Sequence, residues 1–103
     1  MIKGSYFITT NTGTVEKTGY VFDLDGLAFG ICKDFKQWTI TELSTGFKVG
    51  TCLKRYLAEE VIKNVIPTIK AAIENKNDNT LKGIRKDIIA AYKKAGFYYD
   101  IVA

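Results

Sequence analysis

The fold is decided by residues 19–32, which read GYVFDLDGLAFGIC. Large apolar residues alternate with small or polar ones on both sides of Asp25-Gly26, and an Asp-Gly pair favours a two-residue type I′ turn because both positions need positive φ. Folding the segment about this turn places three apolar pairs on one face: Leu24 with Leu27, Phe22 with Phe29, and Tyr20 with Ile31. The stretch therefore predicts an antiparallel β-hairpin with its bulky side chains on a single face.

Period-two alternation runs through the first half of the chain, and helical periodicity runs through the second. This order predicts an α+β fold in which an antiparallel β-meander of four to five strands, residues 1–50, is packed on one face by two to three C-terminal helices. The bulky rings of the hairpins would turn inward beneath the helices. The other face of the sheet would be ring-free and open to solvent.

The helical half divides into two helices and a tail. Helix one is expected over residues 51–76, with Thr51 as N-cap, and Pro67 should kink or split it near 64–67. Its apolar stripe follows i,i+4 spacing through Leu53, Leu57, Val61, Val65 and Ile69, and Ile62, Ile66 and Ile73 widen it. A polar loop at 75–79 precedes helix two over 79–96, capped by Thr80 or Asn79 and closed by Gly96, and the tail 97–103 has the character of an edge strand.

Length and composition exclude several classes of function. The 103 residues, 47% hydrophobic and 25% charged, suit a single ordinary domain. There is no histidine, and Cys32 and Cys52 form no CxxC pair, so neither a zinc site nor a histidine-activated nucleophile can be assembled. We therefore expect no catalytic residues, no metal and no cofactor. Apolar runs are far shorter than the ~20 residues of a membrane span, and unpaired thiols suit the cytoplasm.

Residues 20–27, YVFDLDGL, resemble the first motif of the haloacid dehalogenase superfamily. The resemblance implies that Asp23 accepts a phosphoryl group and that Asp25 is an acid/base beside a magnesium ion. The later acidic motif of that family is missing, and the strands are not interleaved with helices as its parallel sheet requires. We interpret the segment as a turn with two solvated aspartates.

The open face of the sheet suggests a docking role. It would carry Ala28, Gly30, Thr39 and Thr41, a nearly flat surface, and Phe35 would project from a turn between Lys33 and Lys36. These residues favour a non-catalytic protein-binding module, a small inhibitor, regulator or adaptor of the kind that phages and mobile elements often encode. The same face would also permit a homodimer.

Nucleic-acid binding is the alternative. Residues 1–51 carry five basic and five acidic side chains and residues 52–103 carry ten and six, so the whole net charge of +4 lies in the second half. Lys82, Lys86 and Lys93 share one face of helix two and could neutralise phosphates. Thr51, Lys54 and Arg55, in the first turn of helix one, could bind an anion at the helix N-terminus.

Overall fold

A computed structural model describes residues 1–75 and 78–102 of the chain. Its sheet contains five strands, which pair antiparallel in the order β1-β2-β3-β4-β5. They are β1 Ile2–Thr10, β2 Gly13–Leu24, β3 Leu27–Asp34, β4 Gln37–Glu42 and β5 Phe47–Cys52. The predicted α+β meander followed by C-terminal helices is confirmed.

The β2–β3 hairpin has the predicted register. Leu24 lies opposite Leu27, and the next facing pairs along the ladder are Phe22 with Phe29 and Tyr20 with Ile31. Asp25 and Gly26 have φ of 55° and 82°, so both central turn residues have the positive φ that a type I′ turn requires.

The first helical segment is divided where Pro67 led us to expect it. A 3₁₀ turn, Arg55–Leu57, leads into α1, Ala58–Ile62, and α2 runs from Ile66 to Glu74. Pro67 stands in the first turn of α2, where its missing N–H has no intrahelical partner to lose.

One expectation about this segment is wrong, and a second is correct only in part. Thr51 is not an N-cap, because β5 continues through it and pairs it with Thr39. The buried row of α1 and α2 is Ala58, Ile62 and Ile66, of which Ile62 and Ile66 were expected only to widen the stripe. Most of its expected centre, Leu53, Leu57, Val61 and Val65, is exposed. Both rows have i,i+4 spacing and lie about 100° apart on the helix, so periodicity could not decide which one faces the sheet.

The second helix, α3, spans Asn79–Ala95 and ends at Gly96, which adopts the left-handed conformation with φ 84°. Its N-cap is Asp78, whose Oδ1 accepts the Leu81 N–H at 2.9 Å, in place of the expected Thr80 or Asn79. Within residues 97–102, the tail forms a short helix, α4, Tyr99–Val102, and no strand. The ends of predicted helix one (76) and of the tail (103), and part of the 75–79 loop, lie outside the described residues.

Helices cover both faces of the sheet, which corrects the predicted packing on one face. One core cluster joins α1 and α2 to strand residues Phe29, Ile31, Ile40 and Cys52. A second joins Ile88 and Tyr92 of α3 and Val102 of α4 to Tyr6, Cys32 and Leu43. The apolar stripe of α3 is buried in this second cluster, on the surface that we expected to be open.

Candidate docking site

The sheet face predicted to bind a protein is interior. Gly30 and Thr41 are buried, Ala28 and Thr39 are half-buried, and the ring of Tyr6 lies across Gly30. A Cβ built on Gly30 would stand 2.6 Å from three ring atoms of Tyr6. The prediction of a ring-free outer surface is wrong because small side chains leave a volume that a close-packed core fills. Here a ring from β1 fills it.

Of the five residues that we predicted to bind a protein, Phe35 alone lies on the surface, and its side chain is fully exposed. It occupies the first position of the two-residue loop between β3 and β4 with φ 57°, and its neighbour Lys36 is not among the residues with positive φ. Positive φ at the first position alone is the pattern of a type II′ turn, where glycine is the usual residue. A bulky residue there is strained, and the fold gains no burial from it.

Beside this turn, Arg55 lies over two aromatic rings. Its guanidinium carbon is 3.8 Å from the centroid of the Tyr20 ring and 5.9 Å from that of Trp38. Both rings are half-buried and their centroids are 6.2 Å apart. This cation–π stacking holds the guanidinium in place while its N–H edges stay available to an incoming acceptor.

A shallow groove of about 460 Å³ opens at this position. Two of its lining residues, Leu53 and Tyr56, are 73% and 78% exposed, and three others are basic. None of the lining residues is acidic; they are Tyr20, Lys33, Trp38, Leu53, Lys54, Arg55 and Tyr56. We call this groove, together with the Phe35-Lys36 turn, the basic–aromatic end.

Strand pairing explains how the groove is assembled. Trp38 lies opposite Lys33 on one side and opposite Cys52 on the other, so the end of β5 delivers residues 53–56 to the tryptophan. Burial raises the pKa of the Cys52 thiol, which keeps it neutral and unsuited to act as a nucleophile beside the groove. The arrangement can therefore recognise anions and apolar groups, and it contains no activated nucleophile.

The structure places the predicted anion-binding residues in different locations. Lys54 and Arg55 line the groove, but they precede and begin a 3₁₀ turn of three residues, and Thr51 is half-buried in β5. The helix N-terminus that was to bind the anion is therefore absent there. Lys82, Lys86 and Lys93 are exposed on α3, which packs on the opposite face of the sheet.

The two aspartates of the β2–β3 hairpin are exposed, and Asp25 Oδ2 forms an ion pair with Lys70 Nζ at 3.3 Å. Within residues 1–75 and 78–102, no group of three or more cysteine or carboxylate side chains could hold a metal ion. The structure thus places Asp25 in the solvated turn and Asp23 on the exposed side of β2, close to its end.

Tyr20, Trp38, Leu53 and Tyr56 were missed as site residues because their types and alternation are also typical of a core. The positions of the basic residues in the sequence could have indicated this site. A two-residue turn at Phe35-Lys36 sets Lys33 directly across from Trp38, and Lys54-Arg55 follow the end of the next strand. A tryptophan bordered by cations on both neighbouring segments indicates a surface position.

No protein-family model matches the chain, and comparisons with curated proteins and with solved structures find no match either. Among the helices of the described residues, none has the length and apolar character required to cross a bilayer.

Proposed function

We propose that this chain is a non-catalytic protein-binding module, a small inhibitor, regulator or adaptor, and that its basic–aromatic end docks on an acidic surface of a partner protein. The conformation and exposure of Phe35 carry the proposal. An aromatic ring is held fully exposed at a positive φ, where glycine would relieve the strain. Strained residues of this kind cluster at ligand clamps and binding sites, and contact with a partner would give this ring a role that folding does not.

The composition of the groove supports a protein partner. Tryptophan, tyrosine and arginine dominate the energetic centres of protein interfaces, and all three meet in the stacked cluster of Arg55, Tyr20 and Trp38. Leu53 adds an exposed aliphatic surface. With basic and no acidic lining residues, the groove favours carboxylate-rich partners and steers them during encounter.

The same geometry disfavours base stacking at this groove. Arg55 already covers a face of the Tyr20 ring, so that face is closed to a nucleobase. A nucleic-acid role rests instead on the exposed lysines of α3, Lys82, Lys86 and Lys93, and it is the second candidate. It predicts binding to a fluorescent oligonucleotide that weakens by about 0.7 to 0.9 log units per log unit of salt for each phosphate neutralised.

Two charge-matched double variants separate these candidates. Lys33→Ser with Lys54→Ser removes two cations from the groove, and Lys82→Ser with Lys86→Ser removes two from α3. In affinity capture from the native cell extract, with and without nuclease, we expect a nuclease-resistant acidic protein that the groove variant and Phe35→Gly lose and the α3 variant retains. Loss only after nuclease treatment, or only with the α3 variant, would assign the function to nucleic acid.

Cys32 and Cys52 are free thiols, which suits a reducing compartment, and we propose the cytoplasm. A homodimer through the small-residue face is not proposed, because Tyr6 and α3 occupy that face.

A further inference from the structure

A second groove lies at the end of the sheet opposite the basic–aromatic end. β3 runs from Leu27 to Asp34, so its two turns are at opposite ends, roughly 20 Å or more apart along the strand. The groove, of about 420 Å³, lies where the start of β1, the end of β2, α1 and α4 meet. Its lining residues are Met1, Ile2, Val21, Phe22, Asp23, Ala28, Leu43, Glu59, Tyr98 and Ile101. We call it the acidic groove.

The acidic groove leaves large aliphatic side chains in solvent. Ile2 is 73% exposed, Ile101 55% and Met1 48%. They come from the two ends of the described chain, with Met1 and Ile2 at one end and Ile101 of α4 at the other, and they line one groove. Several large apolar side chains exposed around one groove are typical of an interaction site.

Apart from the N-terminal amine of Met1, the charged lining groups are carboxylates. Asp23 and Glu59 are exposed, neither has an ion-pair partner within 4.0 Å among the described residues, and no lysine or arginine lines the groove. Asp100, on α4 beside Ile101, is exposed as well. Carboxylates therefore outnumber the single cationic group at this groove, whereas the charged lining residues of the basic–aromatic groove are all cationic.

We propose that the acidic groove binds a basic amphipathic segment of a second protein. One large apolar side chain of the segment packs against Ile2 and Ile101, and its lysine or arginine side chains reach Asp23 and Glu59. Charge complementarity selects this occupant: the two carboxylates repel an acidic segment or an anionic lipid surface, whereas a cationic segment satisfies both them and the apolar walls. With a binding surface at each end, the chain acts as an adaptor between an acidic and a basic partner.

The test uses the full chain and a fluorescent amphipathic peptide that has leucine on one face and lysine on the other. Fluorescence anisotropy should detect salt-sensitive binding of this peptide, and no binding of analogues with glutamate replacing lysine or serine replacing leucine. Asp23→Asn with Glu59→Gln should weaken binding about fivefold, the scale of two exposed ion pairs. Ile2→Ser with Ile101→Ser should weaken it at least about tenfold, because an apolar side chain no longer finds an apolar wall.

Matched controls lie outside the groove. Asp25→Asn removes a carboxylate that Lys70 already pairs, and Val15→Ser removes an exposed apolar side chain from β2, so each should leave the affinity unchanged. Equal binding of the lysine and glutamate peptides, no binding of either, or equal loss in the controls would overturn the proposal. So would a dimer, detected by sedimentation, that Ile2→Ser with Ile101→Ser dissolves, because the occupant would then be a second copy. Phe35→Gly leaves the peptide affinity unchanged, so failure here is distinguishable from failure of the proposed function.

Discussion

Replacing Phe35 by glycine should stabilise the protein while removing its proposed contact with a partner. The ring is fully exposed, so its deletion forfeits no buried apolar area. Its φ of 57° costs a residue with a Cβ about 1–2 kcal/mol, and glycine avoids this cost. Glycine loses about 0.5–1 kcal/mol more backbone entropy on folding. The difference between the central values of the two terms predicts that the free energy of unfolding rises by about 0.75 kcal/mol.

Urea unfolding followed by circular dichroism measures this change directly. The midpoint should increase with an unchanged slope, and the melting temperature should rise by about 4 °C, as expected for a domain of this size. Phe35→Ala is the matched control, because alanine removes the ring but keeps the Cβ. Its stability should stay within about 0.5 kcal/mol of the parent.

The reasoning is refuted if Phe35→Gly is less stable than the parent or indistinguishable from Phe35→Ala. The first result would mean that the ring contributes to folding, and the second that the turn is not strained. A glycine variant that is more stable yet captures the partner as well as the parent would separate the strain from function. The expected combination, with stability gained and capture lost, is the trade-off seen where a binding site uses a strained residue.

Three further perturbations test the interior, with Gly83→Ala on the surface as a control. Gly30→Ala should lower the free energy of unfolding by about 1–3 kcal/mol, because its Cβ would meet the buried Tyr6 ring. Gly83→Ala on α3, whose Cβ meets nothing within 4 Å, should raise the free energy of unfolding by up to about 1 kcal/mol. Urea midpoints measure both changes. Glu42→Gln should lower the free energy of unfolding by about 3 kcal/mol in the same assay, because the buried carboxylate accepts four hydrogen bonds and an amide cannot accept them all. An unchanged midpoint would contradict this expectation. Burial raises the pKa of Tyr92 to about 12 from about 10, so the tyrosine loses its proton first in the unfolded chain. The stability that this group contributes below pH 10, on the order of 2 kcal/mol, should therefore decline toward pH 12. Equal urea midpoints at pH 9 and 11 would refute this prediction.

The β-meander could be predicted because the sequence features that specify it lie within each hairpin or helix end. Turn chemistry at Asp25-Gly26 set the hairpin register, and Pro67 and Gly96 marked a helix break and a helix end. The two-sided packing was not predictable from such signals. Tyr6 lies on β1, two strands away from β3 in the sheet order, and nothing local to Gly30 indicates that this distant ring will cover it.

The binding surfaces were predictable only in part for the same reason. Phe35 could be recognised because a short turn exposes its residues whatever the rest of the chain does. The groove beside it depends on β5 extending to Cys52, which carries Leu53, Arg55 and Tyr56 to Trp38. A helix started at Thr51 would have distributed those side chains around a helical axis. An error of a few residues in one boundary was therefore enough to hide the site.

The burial of the small-residue face also explains why binding is proposed at the ends of the sheet. Helices cover the pleated faces on both sides, so partners can approach mainly the turns and the strand ends. Turns can hold a strained residue such as Phe35 because little packing depends on them. Since β3 joins the two ends through a buried, paired strand, a change of side chain at one end should leave the backbone of the other undisturbed. The two proposed partners should accordingly bind independently, with additive free energies, because the same scaffold holds both surfaces rigidly apart.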